Sequence, residues 1–160
     1  MAHRPDHARF LAEAVTLATR NARRRGGGPF GALVVRRGEV VARGTNRVTP
    51  TNDPTAHAEI VAIRRACRRL GTFQLTGCTV YASAEPCPMC LGALYWARPD
   101  RVVFAATRED AARAGFDDAF IYEQIARPHA KRRIPFVRLA IPDAEVPFRT
   151  WLADPGRETY

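Results

Sequence analysis

The sequence predicts an α/β domain of three layers, in which a mixed sheet of about five strands lies between helices. The chain has 160 residues, 46% hydrophobic and 26% charged, which suits one globular domain over residues 1–160. Apolar residues recur at helical spacing in some segments and form short strand-like runs in others. These two kinds of segment alternate, so strands linked by helices are expected to run parallel.

The amino-terminal third of the sequence predicts a helix followed by a hairpin. Asp6 is a suitable N-cap, and the glycines at 26–28 end the helical pattern. Ala32–Val35 and Val40–Ala42 are typical of two strands joined by a turn at Gly38. The apolar positions that predict the first helix are Phe10, Leu11, Ala14, Val15 and Ala18.

The remainder of the sequence alternates helix and strand. Asp53 and Pro54 predict the start of a second helix, since proline is tolerated in a first turn. Its apolar stripe consists of Ala56, Ile60, Ile63, Cys67 and Leu70. The segments that follow are a strand at Cys78–Ser83, a helix at Cys87–Ala97, strands at Arg101–Ala106 and Phe136–Ile141, and helices near Asp118–Ile125 and Val146–Leu152. The helix at Cys87–Ala97 is apolar nearly all round and is expected to be buried.

The charge of the chain does not by itself predict a nucleic-acid-binding protein. The net charge is +9, but Lys131 is the only lysine, so 24 of the 25 basic residues are arginine. This bias extends along the whole chain, and nucleic acid is not the expected partner. No signal peptide is apparent, and no apolar run approaches the ~20 residues of a membrane span, so no membrane association is expected. We expect a cytoplasmic protein with reduced cysteines.

The chemistry of the chain centres on two short motifs. "TAHAEI" contains His57 and Glu59, and "AEPCPMC" contains Cys87 and Cys90. Each motif opens a predicted helix, where the backbone N–H groups favour thiolates. Positions i and i+3 of a helix share one face, so both sulfurs can hold one metal ion. An imidazole and two thiolates form a zinc-binding set.

Three protein ligands indicate a catalytic rather than a structural zinc site, which would need four. The open position is expected to hold a water whose pKa zinc lowers to about 7. Glu59 lies at the edge of the buried stripe, where an unpaired carboxylate would be costly, and it is expected to carry the proton of that water. A redox CxxC pair would not need the His57 motif. Cys67 and Cys78 are expected to be core thiols.

The two motifs match the H-x-E…P-C-x-x-C signature of zinc-dependent nucleobase deaminases. The chain resembles the cytidine deaminase superfamily, and within it most resembles the small bacterial guanine deaminases. The resemblance rests on six parts of the sequence: "GGPFGA" at 27–32, "TNDPTAHAEI" at 51–60, "EPCPMCLGALYWARP" at 85–99, "AGFDD" at 114–118, "IPF" at 134–136 and the final Tyr160.

The resemblance implies hydrolysis of guanine to xanthine and ammonia, with one zinc ion held by His57, Cys87 and Cys90. It implies that Glu59 carries protons, with Asp118 as a second carrier. The residues that it places around the base are Phe30, Asn46, Ala58, Trp96 and Tyr160. It further implies a homodimer that exchanges the segment of about 143–160, so that Tyr160 serves the partner's site.

Several alternatives stay open at the level of sequence. Asn46 is also compatible with a turn, Trp96 with a core aromatic, and Asp118 with a helix cap. A tRNA adenosine deaminase would use the same zinc site, and so would a deaminase of cytosine, a nucleoside or an aminotriazine. A zinc domain without activity is a third class. Ala84 departs from the residues that relatives often carry before Glu85, and we expect it to tune the pocket.

Overall fold

The computed structural model describes residues 6–160, which form two compact units, one up to Asp118 and one over Ala119–Tyr160. The first unit contains helices α1 (His7–Arg23), α2 (Val48–Thr51), α3 (Ala58–Leu70), α4 (Pro88–Ala97) and α5 (Arg108–Arg113) and strands β1 (Gly31–Arg36), β2 (Glu39–Thr45), β3 (Cys78–Ala84) and β4 (Arg101–Ala106). The second contains α6 (Ala119–Ala126), a 3₁₀ turn (His129–Lys131) and α7 (Val146–Ala153). The assignment of residues 1–160 to one domain stays a prediction.

The sheet of the first unit is mixed, with strand order β2-β1-β3-β4. β1 pairs antiparallel with both β2 and β3, and β3 pairs parallel with β4. β2 and β3, which α3 connects, therefore run in the same direction, as do β3 and β4, which α4 connects. The expectation of parallel strands joined by helices is confirmed.

Helices cover both faces of this sheet, which confirms the three-layer prediction. On one face, Ala32 and Val34 of β1 pack with residues of α3 and α4. On the other face, Leu33 and Val35 of β1 pack with Phe10 and Ala14 of α1 and with Tyr81 of β3. The alternation along β1 follows from the two-residue period of a strand, which sends successive side chains to opposite faces.

The predicted fifth strand is wrong. Residues 136–141 have no strand structure, and the sheet has four strands among the described residues. The segment has the apolar composition of a strand, but no neighbouring strand supplies the hydrogen bonds that a strand needs. Val137 is 85% exposed and Leu139 is 78% exposed in the single chain.

The helix that was predicted to have Asp53 as its N-cap begins four residues later. The Asp53 carboxylate accepts hydrogen bonds from the backbone N–H and the hydroxyl of Thr55, at 2.8 and 2.7 Å. These bonds close a local turn that competes with the helix, as Asp side chains often do. The helix α3 starts at Ala58 with His57 as its N-cap, and this start aims the His57 side chain at the cysteines described below.

The predicted burial of α4 is only partly correct. Cys90, Leu94 and Ala97 are buried, whereas Tyr95 and Trp96 are exposed in the single chain. The helix therefore has one buried face in spite of its nearly uniform apolar composition. Within residues 6–160, no helix has both the length and the apolar character that crossing a membrane requires.

Candidate active site

The starts of α3 and α4 bring the two sequence motifs together. His57 and Cys87 are the N-cap residues of the two helices, each with an extended backbone. Cys90 lies one turn into α4 and is fully buried. The Nδ1 atom of His57 lies 3.5 Å from the sulfur of Cys87 and 3.5 Å from the sulfur of Cys90.

This cluster fits a zinc ion by donor chemistry and by spacing. The three ligand atoms lie within 4.8 Å of one another. A tetrahedral zinc with ordinary Zn–S and Zn–N bond lengths would separate its nitrogen and sulfur ligands by about 3.6 Å. No further His, Cys, Asp or Glu joins the group among the described residues. Three ligands leave one position open, which is the arrangement of catalytic zinc sites.

Hydrogen bonds within the cluster stabilise one of its two cysteines as a thiolate. A hydrogen bond from the Cys90 thiol stabilises the Cys87 thiolate and lowers the pKa of Cys87 to about 4. The same hydrogen bond, together with burial, raises the pKa of Cys90. The hydrogen bond with Cys87 raises the pKa of His57. One anionic sulfur is therefore available to a cation at neutral pH.

Glu59 lies in the first turn of α3, directly beside the ligand cluster. Its side chain is 7% exposed, and its carboxylate interacts with the Cys90 thiol. Burial raises the pKa of Glu59, because the charged form loses its hydration. A buried carboxylate beside the open metal position is suited to receiving and returning a proton.

Asn46 follows β2 and is 5% exposed. Its Oδ1 accepts hydrogen bonds from the backbone N–H groups of Gly28, at 3.1 Å, and Val48, at 3.2 Å. These two donors fix the orientation of the amide. The Nδ2 group of Asn46 therefore remains as a hydrogen-bond donor, and the role of Asn46 toward a substrate stays a prediction.

Phe30 lies beside Asn46 and is held by the loop that carries Asp118. The backbone N–H of Asn46 donates to the Phe30 carbonyl at 3.1 Å. The rings of Phe30 and Phe116 meet edge to face, with centroids 4.9 Å apart. Burial and the nearby Cys87 charge raise the pKa of Asp118, which places this carboxylate in the electrostatic field of the cluster. Asp118 directly precedes α6.

The remaining predicted site residues have different surroundings. Ala58 is fully buried at the start of α3 and belongs to the core beneath the cluster. Trp96 is 65% exposed, so its interpretation as a core aromatic is wrong. Tyr160 ends the second unit and is exposed in the single chain. The roles of these three residues toward a substrate stay predictions.

Three residues that were not predicted from the sequence support the segments around the cluster: Asn21, Ser83 and Phe116. Asn21 is buried on α1, and the Ser83 hydroxyl accepts a hydrogen bond from the Gly31 N–H at 3.0 Å. A signal existed for Asn21, because it continues the apolar stripe of Ala14 and Ala18 with a polar side chain. A polar residue at a buried helical position needs hydrogen-bond partners, so such a position predicts a side chain that links two parts of the fold.

Comparison with known proteins agrees with this geometry. Residues 4–106 match the family model of the cytidine and deoxycytidylate deaminase zinc-binding region. The guanine deaminase of Bacillus subtilis is 51% identical over 155 residues, which cover 97% of this chain and 99% of that protein. The crystal structure of that enzyme superposes on this chain with a TM-score of 0.95 and covers 97% of this chain and 99% of its own.

Two other relatives match less of the chain. The structure of a guanine deaminase from Nitrosomonas europaea has a TM-score of 0.67 and 36% identity, and covers 74% of this chain and 68% of that one. A tRNA-specific adenosine deaminase from Aquifex aeolicus is 46% identical over 93 residues, 56% of this chain and 62% of that protein. The family match spans more than half of the sequence and contains the whole His57, Cys87 and Cys90 cluster. This protein is a member of the zinc-dependent cytidine and deoxycytidylate deaminase family.

Proposed function

We propose that this protein hydrolyses guanine to xanthine and ammonia in the cytoplasm, as a step of purine breakdown. The observation that carries the proposal is similarity to a guanine deaminase along 97% of the chain, with the catalytic cluster intact. Similarity to the tRNA-specific adenosine deaminase of Aquifex aeolicus extends over only 56% of the chain. The length of the match therefore favours a free base over tRNA as the substrate.

The donor on Asn46 is suited to holding a base. Two backbone N–H groups donate to its Oδ1, which leaves the Nδ2 group as a donor. Guanine offers acceptors on its ring edge, its carbonyl oxygen among them, and a buried donor is costly when it has no acceptor. We therefore assign Asn46 to the edge of the base, with Phe30 and Trp96 against its faces and Ala58 beneath it.

The reaction divides between the metal and the residues of the chain. Zinc held by His57, Cys87 and Cys90 supplies a nucleophile from water at neutral pH. Glu59 accepts the proton of the attacking water and delivers it to the ring nitrogen next to the amino-bearing carbon. The carboxylate of Glu59, or that of Asp118, then takes the proton of the hydroxyl group now on the ring carbon and passes it to the amine. The C–N bond breaks, the carbonyl group of xanthine forms, and the amine leaves as ammonia.

We further propose a homodimer in which the segment of about 143–160 is exchanged and Tyr160 closes the partner's site. The support is the apolar surface of the second unit, which one chain leaves open to water. Such a surface usually marks a protein interface. The large hydrophobic residues of the second unit with exposures above half are Ile125, Ile134, Phe136, Val137, Leu139, Ile141, Phe148, Leu152 and Tyr160.

Ammonia release tests the substrate directly. The zinc-loaded protein is offered guanine, guanosine, cytosine, cytidine, adenine, an aminotriazine and tRNA in parallel. We expect turnover of guanine far above the others, with xanthine as the product. Turnover of tRNA or of another amine instead of guanine would overturn the substrate assignment while leaving the deaminase chemistry in place.

Glu59→Gln tests the proton carrier. The amide keeps the shape of the side chain but does not accept the proton, so turnover should fall by at least about 10²-fold. The zinc content should stay near one per chain. Glu39→Gln is the matched control, since Glu39 is exposed at the start of β2, and it should retain full activity. An active Glu59→Gln protein would contradict the role of Glu59.

A further inference from the structure

Asn21 is the buried polar residue of α1, and neither the zinc cluster nor the proton transfer uses it. Its side chain is 8% exposed. The Nδ2 group donates to the carbonyl of Gly28 at 2.9 Å and to the carbonyl of Asn46 at 2.9 Å. One amide thus bridges two segments that are distant in sequence. Both segments hold residues of the proposed base site.

The bridge closes a network around Asn46. The Nδ2 group of Asn21 donates to the backbone carbonyl of Asn46, and the N–H of Gly28 donates to the side-chain Oδ1 of Asn46. The N–H of Asn46 in turn donates to the Phe30 carbonyl. Asn21 and Gly28 therefore restrain both the backbone and the side chain of Asn46, and with it the direction of the Nδ2 donor.

The glycine loop is shaped to fit this network. Gly27 has a φ of +129°, and a Cβ atom there would lie 2.3 Å from the Asn46 carbonyl oxygen. A Cβ atom at Gly26 would lie 2.5 Å from Oδ1 of Asn21. Only glycine allows the loop to approach both asparagines so closely. The space around Asn21 is therefore filled, and a longer side chain does not fit there.

We propose that Asn21 is a positioning residue for substrate recognition, acting through Asn46 and the loop at 26–28 rather than by touching the base. This inference rests on the proposed function, because it assigns recognition of the base to Asn46. Without the Asn21 amide, two carbonyls lose their donor and the Asn46 backbone gains freedom. The Nδ2 donor then loses its fixed direction, and guanine binds less tightly.

Steady-state kinetics of Asn21→Ala and Asn21→Asp test the proposal. Asn21→Asp keeps the shape of the side chain, but a carboxylate oxygen replaces the Nδ2 group that donates to the two carbonyls. This variant tests the proposal if Asn21→Ala does not fold. We expect KM for guanine to rise about tenfold in each variant, the usual scale of one lost hydrogen bond. We expect kcat to change by less than about threefold and zinc content to stay constant, because the metal ligands are untouched.

A double-mutant comparison separates positioning from general loss of stability. If Asn21 acts through Asn46, Asn21→Ala added to Asn46→Ala should lower kcat/KM by no more than about twofold further. Phe10→Leu is the stability control, since Phe10 is buried in the core on the α1 face, away from the asparagines. It should lower the unfolding temperature without changing KM.

An unchanged KM in both Asn21 variants would overturn the proposal, and so would effects of Asn21 and Asn46 that simply multiply. These outcomes are distinct from failure of the proposed function, which appears in the wild-type protein as absence of guanine turnover. In that case the same variants are measured on whichever base the wild-type protein does deaminate.

Discussion

Cys90 is the fully buried member of the three metal ligands, whereas His57 and Cys87 are partly exposed. Its neighbours are the Cys87 sulfur, the His57 imidazole and the Glu59 carboxylate. A deprotonated thiol in such a place would meet like charges without a cation. A zinc ion held by these three residues would supply the compensating charge, so the buried Cys90 thiolate would depend on the metal.

Replacing Cys90 by serine should remove most of the zinc. A hydroxyl does not ionise at neutral pH and is a poor zinc ligand, so the site loses one of its three anchors. We expect less than about a tenth of the wild-type metal content after dialysis, measured by atomic absorption. Cys67→Ser is the matched control, because Cys67 lies on α3 outside the cluster, and it should keep its metal. Full zinc in Cys90→Ser would contradict the ligand assignment.

At the scale of single residues, the sequence predicted the candidate zinc site but not the hydrogen bonds that position the residues around it. His57, Glu59, Cys87 and Cys90 could be selected as candidates because zinc chemistry restricts both residue type and spacing, and the structure brings His57, Cys87 and Cys90 together. The helical period marks Asn21 as a polar residue on a buried stripe, but its partners could not be predicted. They are the backbone carbonyls of Gly28 and Asn46, and a carbonyl has no sequence signature. Positioning by main-chain groups becomes visible only once the fold is known.

At the scale of elements, two glycines allow the helices to approach the sheet closely. A Cβ atom at Gly44 of β2 would lie 2.1 Å from the carbonyl oxygen of Ala58 and 2.6 Å from the nitrogen of Ala62. A Cβ atom at Gly31 of β1 would lie 2.5 Å from the carbonyl oxygen of Ala14 on α1. The start of α3 therefore lies directly on β2, and this contact fixes the depth of His57 relative to the sheet.

Gly44→Ala should be strongly destabilising, because backbone atoms of α3 cannot move aside as a flexible side chain would. Overpacking of this kind costs about 2–3 kcal/mol. For a chain of this size we expect the thermal unfolding midpoint to fall by about 5–10 °C. The measurement is differential scanning calorimetry at fixed protein and zinc concentration.

Gly92→Ala is the control, and it is expected not to lower the thermal unfolding midpoint. Gly92 lies inside α4, and a Cβ atom there would meet nothing within 4 Å. Alanine is the better helix former by about 1 kcal/mol, so the midpoint should stay the same or rise. Equal losses in the two variants would show that close approach of α3 is not what Gly44 provides.

The elements that the sequence predicted well are those with local signals. The α1 helix has a capping aspartate, whose carboxylate accepts from the Arg9 N–H at 3.0 Å, and the hairpin has its glycine turn. The predicted strand at Phe136–Ile141 failed because pairing is a non-local property. Short apolar runs do not reveal whether a partner strand exists. The α5 helix was missed because six residues carry little periodic signal.

At the scale of the whole molecule, the two units differ in how much apolar surface they bury. The first unit has two cores on the two faces of its sheet. The second unit has no buried residue among those described, although its helices α6 and α7 are rich in large apolar side chains. Burial of such side chains normally contributes about 1.5–3 kcal/mol each, and the proposed homodimer would bury them.

Mixed dimers test both the homodimer and the exchanged position of Tyr160. Glu59→Gln lacks the proton carrier, and Tyr160→Ala lacks the residue proposed to close the partner's site. Each variant alone should be nearly inactive. In a dimer with one chain of each kind, one site has an intact Glu59 and receives an intact Tyr160 from the other chain. Random mixing after co-refolding should therefore restore about a quarter of the wild-type activity.

In the control, Glu59→Gln is mixed with the doubly substituted Glu59→Gln/Tyr160→Ala chain instead of with Tyr160→Ala. No dimer of these two chains contains an intact Glu59, so no site is complete. Light scattering measures the mass of each preparation, and the proposal expects twice the mass of one chain. If Tyr160 serves its own chain, mixing restores no more than the sum of the separate variants. A monomer of full activity would overturn the exchange altogether, whereas restored activity that depends on mixing assigns Tyr160 to the neighbouring site.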